Sequence, residues 1–170
     1  IYKSNSPKDV QRTWIGPEYL ANPLQDWEIE NGRLKCLVSD YNRNVSLLTW
    51  ENSKDPGSLS LSVKLGIIEQ DILNKVGWVG FQIGKKGRFD DYRDDALYGR
   101  GIKAGLTTTG KLFIGELMDT DFTEKNDSNI SLLISGQVTL KLSAENLNDD
   151  QYVLKLSLWD EGSIIDSLHK

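Results

Sequence analysis

Between Arg88 and Asp95 the chain reads Arg-Phe-Asp-Asp-Tyr-Arg-Asp-Asp, and here its side chains could do the most chemistry. Two pairs of carboxylates, Asp90–Asp91 and Asp94–Asp95, flank Tyr92 and Arg93. Oxygen-rich clusters of this kind suit a structural Ca²⁺, which takes about 6–8 oxygen ligands. The spacing of an EF-hand loop is absent. The same residues could hold a sugar, with the Tyr92 ring stacking on it and Asp90, Asp91 and Arg93 bonding its hydroxyls. They also read as a solvated loop in which Arg88 and Arg93 pair with neighbouring acids. Trp14 and Trp27 lie in turn-rich sequence and are further candidates for an exposed stacking ring. The candidate ligand-binding set is therefore Asp90, Asp91, Tyr92, Arg93, Trp14 and Trp27.

Other chemistries find few residues. The chain has one His, His169, and one Cys, Cys36. Most nucleophile–base pairs and transition-metal sites draw on those two side chains near neutral pH. Cys36 alternates with Leu34 and Val38, which suits a small buried apolar residue. His169 is expected to be exposed and inert. Glycoside hydrolysis would need two carboxyl groups about 5–9 Å apart across a sugar. Glu116 and Asp119, with Asp121 and Glu124 beyond, are the nearest candidates. An offset of three on a strand points Glu116 and Asp119 to opposite faces. The sequence thus offers no catalytic set and no metal ligands of the His or Cys kind. Gly80-Phe81-Gln82-Ile83-Gly84 is not a dinucleotide fingerprint, because no helix is expected after that strand. Asn129-Ile130-Ser131 matches a glycosylation sequon, a weak signal.

The elements that must carry these residues are strands. Ser58–Leu65 alternates strictly, with Leu59, Leu61, Val63 and Leu65 on one face and Ser58, Ser60, Ser62 and Lys64 on the other. Period two over eight residues is a half-buried strand. Tyr152–Trp159 alternates in the same way around Leu154, Leu156 and Leu158. Arg33–Val38, Asn44–Trp50, Trp78–Gly84, Ile130–Ile134 and Gln137–Leu142 read as strands. Gly101–Leu106 and Lys111–Ile114 flank the turn Thr109-Gly110 and read as a hairpin. Ile67–Lys75 fits a short helix or an irregular connection, and Asp119–Asn129 reads as an acidic loop. Trp50, Trp78 and Trp159 sit within or beside strands and are expected to pack. About ten strands at this spacing suit an all-β, two-sheet antiparallel sandwich.

The chain has 170 residues, a net charge of −5, a hydrophobic fraction of 38% and a charged fraction of 26%. One domain spanning 1–170 is expected, with residues 1–12 loose. A chain of this length buries roughly 70% of its unfolded surface and needs neither metal nor disulfide to hold a core. The acidic balance, with no basic stripe, argues against nucleic acid as a partner. No apolar run reaches the ~20 residues of a membrane span. The chain opens Ile1-Tyr2-Lys3 with no initiator Met, which leads to the expectation that a leader has been removed. A monomer is expected.

Two stretches carry a family resemblance. Gly77–Glu116 places a G-x-x-x-G strand before a Gly- and Asp-rich loop and a hairpin of the form "a-G-l…t-G-k-l". This resembles the concanavalin-like and laminin-G-like jelly rolls. Thr13–Cys36, TWIGPEYLANPLQDWEIENGRLKC, resembles the opening of the concanavalin-like domain that precedes the metallophosphatase domain in bacterial PhoD-like alkaline phosphatases. The two stretches cover a little under half the chain. The resemblance implies a concanavalin-like jelly roll forming one part of a larger exported bacterial hydrolase, periplasmic or at the cell surface. Phosphatase chemistry needs clustered Asp, His and Asn ligands, and with His169 alone it would belong to a neighbouring domain. The sugar-hydrolysing members of the fold carry E-x-D-x-x-E on one strand, and that motif is absent here. The function expected is a non-catalytic module that binds carbohydrate or packs against a neighbouring catalytic domain. The alternative is a glycoside hydrolase-like enzyme using paired carboxylates.

Overall fold

The structure is a computed structural model and describes residues 2–50, 57–69, 73–84, 92–136, 138–148 and 151–170. It is mostly β, every sheet is antiparallel, and none closes on itself. The chain divides into two compact units, Ile1–Glu51 with Gly84–Gly101, and Asn52–Ile83 with Ile102–Lys170.

The first unit carries β1 (Gln11–Arg12), β2 (Tyr19–Asn22), β3 (Trp27–Glu30), β4 (Arg33–Cys36), β5 (Asn44–Leu47) and α1 (Tyr92–Tyr98). One sheet runs β1-β3-β4 and a second pairs β2 with β5. Asn31 and Gly32 close the β3–β4 hairpin with φ of 52° and 75°. Two consecutive positive φ values are what a two-residue hairpin turn requires, and Asn-Gly is the pair that adopts them most readily. The apolar centre is small: Ile15, Ala21 and Ile29, with Val10, Tyr19, Trp27 and Val45 packed around it.

The second unit carries β6 (Ser58–Lys64), β7 (Trp78–Ile83), β8 (Ile102–Thr107), β9 (Leu112–Ile114), α2 (Asp127–Ser135), β10 (Thr139–Asn148), β11 (Gln151–Asp160) and β12 (Ser163–His169). A four-stranded sheet runs β12-β11-β10-β6 and a three-stranded sheet runs β7-β8-β9. The strand registers turn the sequence alternation into rows. Leu61, Leu142, Leu156 and Leu168 stand side by side across four strands, and Val63, Leu140 and Leu158 form the next row. Ala104 and Leu106 of β8, Leu112 and Ile114 of β9 and Leu133 of α2 join these rows in one core. Leu140, Leu142, Leu156 and Leu158 are fully buried. Trp78 meets Phe113 edge-on at 5.2 Å.

Several expectations change. Ile130–Ile134 is helix, not strand, and lies within α2. The reasons are local: the Asn126 side chain accepts the Asn129 N–H at the start, and Gly136 ends the helix with φ of 68°. Both are preferred capping choices. The Arg88–Asp95 stretch is not loop throughout, because α1 begins at Tyr92. Trp50 does not pack into a core; it is 58% exposed and its ring lies 5.8 Å from that of Tyr2. Finally, twelve strands are present among the described residues where about ten were expected, because β1, β2 and β3 precede Arg33 while Ile130–Ile134 drops out as helix.

Candidate functional site

A polar frame in the first unit holds α1, the helix on which Arg93 lies. Asn22 ends β2 and Asn44 opens β5, and the register makes them partners. Both amides donate to the Ala96 carbonyl of α1, at 2.7 and 2.8 Å. Asn42 donates to the Leu97 carbonyl at 3.1 Å. The last carbonyls of a helix have no partner within the helix. Here side-chain amides supply the donors and fix the segment that carries Arg93.

A second contact braces the frame. Asp26 is buried, and Arg43 Nε and Nη2 each approach its Oδ2 at 2.8 Å. Arg43 Nη1 also donates to the Tyr41 carbonyl at 2.7 Å. A buried carboxylate is costly unless paired and hydrogen-bonded, and Arg43 meets both needs. At the start of the chain the Tyr2 hydroxyl lies 2.6 Å from both Glu18 Oε2 and the Tyr19 hydroxyl. The carboxylate contact holds the Tyr2 proton and raises its pKa, with Tyr19 and burial adding to the shift.

Trp14 is 52% exposed, and the Arg12 guanidinium lies 4.8 Å from its ring centre. Arg12 pairs with Ile29 across β1 and β3, so Trp14 and Trp27 flank the same end of that ladder. Trp27 is half-buried against the Ile15–Ala21–Ile29 centre, and its Nε1 donates to the Asn22 carbonyl at 3.4 Å. Trp27 is thereby tied, through Asn22, to the carbonyl end of α1. Arg93 is exposed on that helix. Asp90 and Asp91 lie outside the described residues, and of Tyr92 only the backbone lies within them. The structure therefore brings Trp14, Trp27 and the Arg93 helix into one unit.

Cys36 pairs with Trp27 in the β3–β4 ladder and its thiol donates to the Val38 carbonyl at 3.3 Å. Burial raises the Cys36 pKa, which suits a packing residue rather than a nucleophile. Leu34 and Val38, on the same face, are exposed. Glu116 and Asp119 are both exposed, and Asp119 opens a short 3₁₀ turn, Asp119–Phe122. Asp121 ends up with Lys111 Nζ at 3.2 Å and the Met118 N–H at 2.9 Å. These donors lower its pKa, the backbone N–H most. Among the described residues no three or more His, Cys, Asp or Glu are grouped to hold a metal ion. No helix among them is long and apolar enough to cross a membrane.

Sequence reasoning did not single out Arg12, Asn22, Asn42 or Asn44. Arg12 and Trp14 stand two apart, the spacing that puts side chains on one side of an extended chain. That signal was readable. The asparagines act on a helix some fifty residues further on or more, and no local pattern announces such a contact.

No family model matches this chain, and neither does any curated protein or solved structure.

Proposed function

We propose that this chain is a non-catalytic carbohydrate-binding module with Trp14 as its stacking platform. The observation that carries this reading is the Trp14 ring, 52% exposed and set beside the Arg12 guanidinium. Trp is enriched at binding interfaces because its ring is apolar while its N–H stays free to bond. An indole face offers a sugar ring the apolar, flat contact it lacks elsewhere, while Arg12 and Arg93 supply donors for hydroxyls. Trp27 would support the platform from within rather than stack on ligand, because it is half-buried and bonded to Asn22.

In this proposal the fold is a concanavalin-like jelly-roll sandwich. The two sheets of the second unit, sharing one core, support the sandwich part of that reading. The resemblance of Thr13–Cys36 to the domain preceding bacterial PhoD-like phosphatases supports a place within a larger exported hydrolase. Catalysis would then belong to a neighbouring domain.

One exposed ring and a few polar contacts give an affinity of mM to μM, about 4–8 kcal/mol. Screening a glycan array with the wild-type chain and with Trp14→Ala, Tyr92→Ala and Arg93→Ala tests the proposal. Binding that is lost in Trp14→Ala supports it. No bound glycan, or binding indifferent to Trp14→Ala, rejects it in favour of a module that packs against its catalytic neighbour.

A further inference from the structure

The second unit holds a cleft of about 310 Å³, lined by polar and charged groups of Glu124, Lys125, Asn126, Asp166 and Ser167 with Leu112 and Leu168. That volume lies at the small end of ligand clefts, which run from about 300 to 1,000 Å³. Its charges are set in two different ways. Lys111 also lines it, but its ammonium is taken by Asp121 at 3.2 Å. Asp166 has no ion-pair partner among the described residues; both its oxygens are held by neutral N–H groups. Asn129 Nδ2 donates to Oδ2 at 2.9 Å and the Ser167 backbone N–H to Oδ1 at 2.8 Å.

Asn129 is the residue that shows this carboxylate is built into the fold. It is 1% exposed, and its amide also donates to the Gly110 carbonyl at 2.8 Å. A buried side chain from α2 thus aims at one oxygen of Asp166 on β12 and is itself fixed by the β8–β9 turn. The burial also answers the sequon, since a sugar cannot be attached to an amide enclosed in this way. Lys125, which also lines the cleft, is exposed, and among the described residues neither it nor Glu124 has an ion-pair partner.

A fixed carboxylate and an ammonium with no ion-pair partner among the described residues line one small cleft together with two leucines, and match a ligand bearing both charges and a short apolar group. We infer that the cleft binds a small amphoteric molecule of amino-acid size. Its ammonium sits on Asp166, its carboxylate on Lys125, and its side chain on Leu112 and Leu168. Asn129 is a positioning residue that keeps Asp166 turned to the cleft. This inference rests on the second unit and stands apart from the Trp14 proposal.

Isothermal titration of the full chain with L-leucine tests it, against isoamylamine and isocaproate, which each keep one of the two charges. L-leucine should bind saturably, and each half-ligand about tenfold more weakly or worse, as expected for a lost charge-assisted contact. Lys125→Ala and Asp166→Asn should each weaken L-leucine about tenfold. Asp166→Asn touches the buried Asn129, so circular dichroism checks its fold. Lys125 is exposed, and its variant carries the test even if the other does not fold. Absence of L-leucine binding, equal affinity for a half-ligand, or unchanged binding by a folded Lys125→Ala variant would overturn the inference.

Discussion

In the second unit, Leu61, Leu142, Leu156 and Leu168 cross four strands as one apolar row. In the first unit, the comparable cross-strand pair at the end of β2 and β5 is Asn22 and Asn44, and both turn their amides to a helix carbonyl. Among the described residues the second core has thirteen buried apolar residues and the first has three. What the first unit lacks in apolar burial it replaces with the Asp26–Arg43 pair, the asparagine amides and the Tyr2–Glu18–Tyr19 contacts. The two kinds of contact fail differently. Burial is lost in proportion to the apolar volume removed. A polar network loses more than one bond when one partner goes, because the others are left desolvated and unpaired.

The largest effect should come from the apolar row. Leu156→Ala removes a fully buried side chain at its centre and should cost about 2–5 kcal/mol in chemical denaturation. Leu61→Ala, on the half-buried edge strand, should cost less. Equal costs at the two positions would mean the row is not centred where the register puts it.

Arg43→Met follows. It keeps much of the side-chain bulk but leaves Asp26 buried without its cation, and should cost about 2–3 kcal/mol. Asp26→Leu combined with Arg43→Met should recover part of that loss, since removing both charges removes the unpaired one. Failure to recover would show that the pair also holds backbone geometry, through the Tyr41 carbonyl.

The smallest effect is a pH dependence in the second unit. The Asp121 carboxyl is held below its ordinary value of 3.8 by the Met118 N–H and Lys111. A carboxylate with a lowered folded pKa stabilises above its unfolded value, and that contribution fades as pH falls through 3.8 toward the folded value. Denaturation midpoints of the wild type should therefore drop more between about pH 5 and pH 3 than those of Asp121→Asn. Parallel pH curves for the two proteins would show that these donors do not favour the charged form.

The same contrast explains what the sequence could reveal. Leu59-x-Leu61-x-Val63 and Leu154-x-Leu156-x-Leu158 announce their faces because alternation is a local signal, and the structure places both in one core. The hairpin around Thr109-Gly110 was legible for the same reason. Ile130–Ile134 misled because a short apolar run fits strand and helix alike. The deciding residues were its caps, Asn126 and Gly136. The polar frame was not legible. Asn22 meets Ala96 across 74 positions and Asn129 meets Asp166 across 37, and an asparagine in a sequence looks the same whether it caps a helix or faces water. Of the candidate site, the tryptophans could be named from sequence, but which of them is exposed depended on the β1–β3 register.

Native-state hydrogen exchange, read residue by residue, tests most directly whether the two units are held by different physics. Backbone amides of β10 and β11 should exchange only through opening of the whole chain. Those of β2 and β5 should open at lower free energy, and Arg43→Met should lower them further while leaving β10 and β11 in place. Equal opening free energies in both sets, falling together in Arg43→Met, would contradict this account.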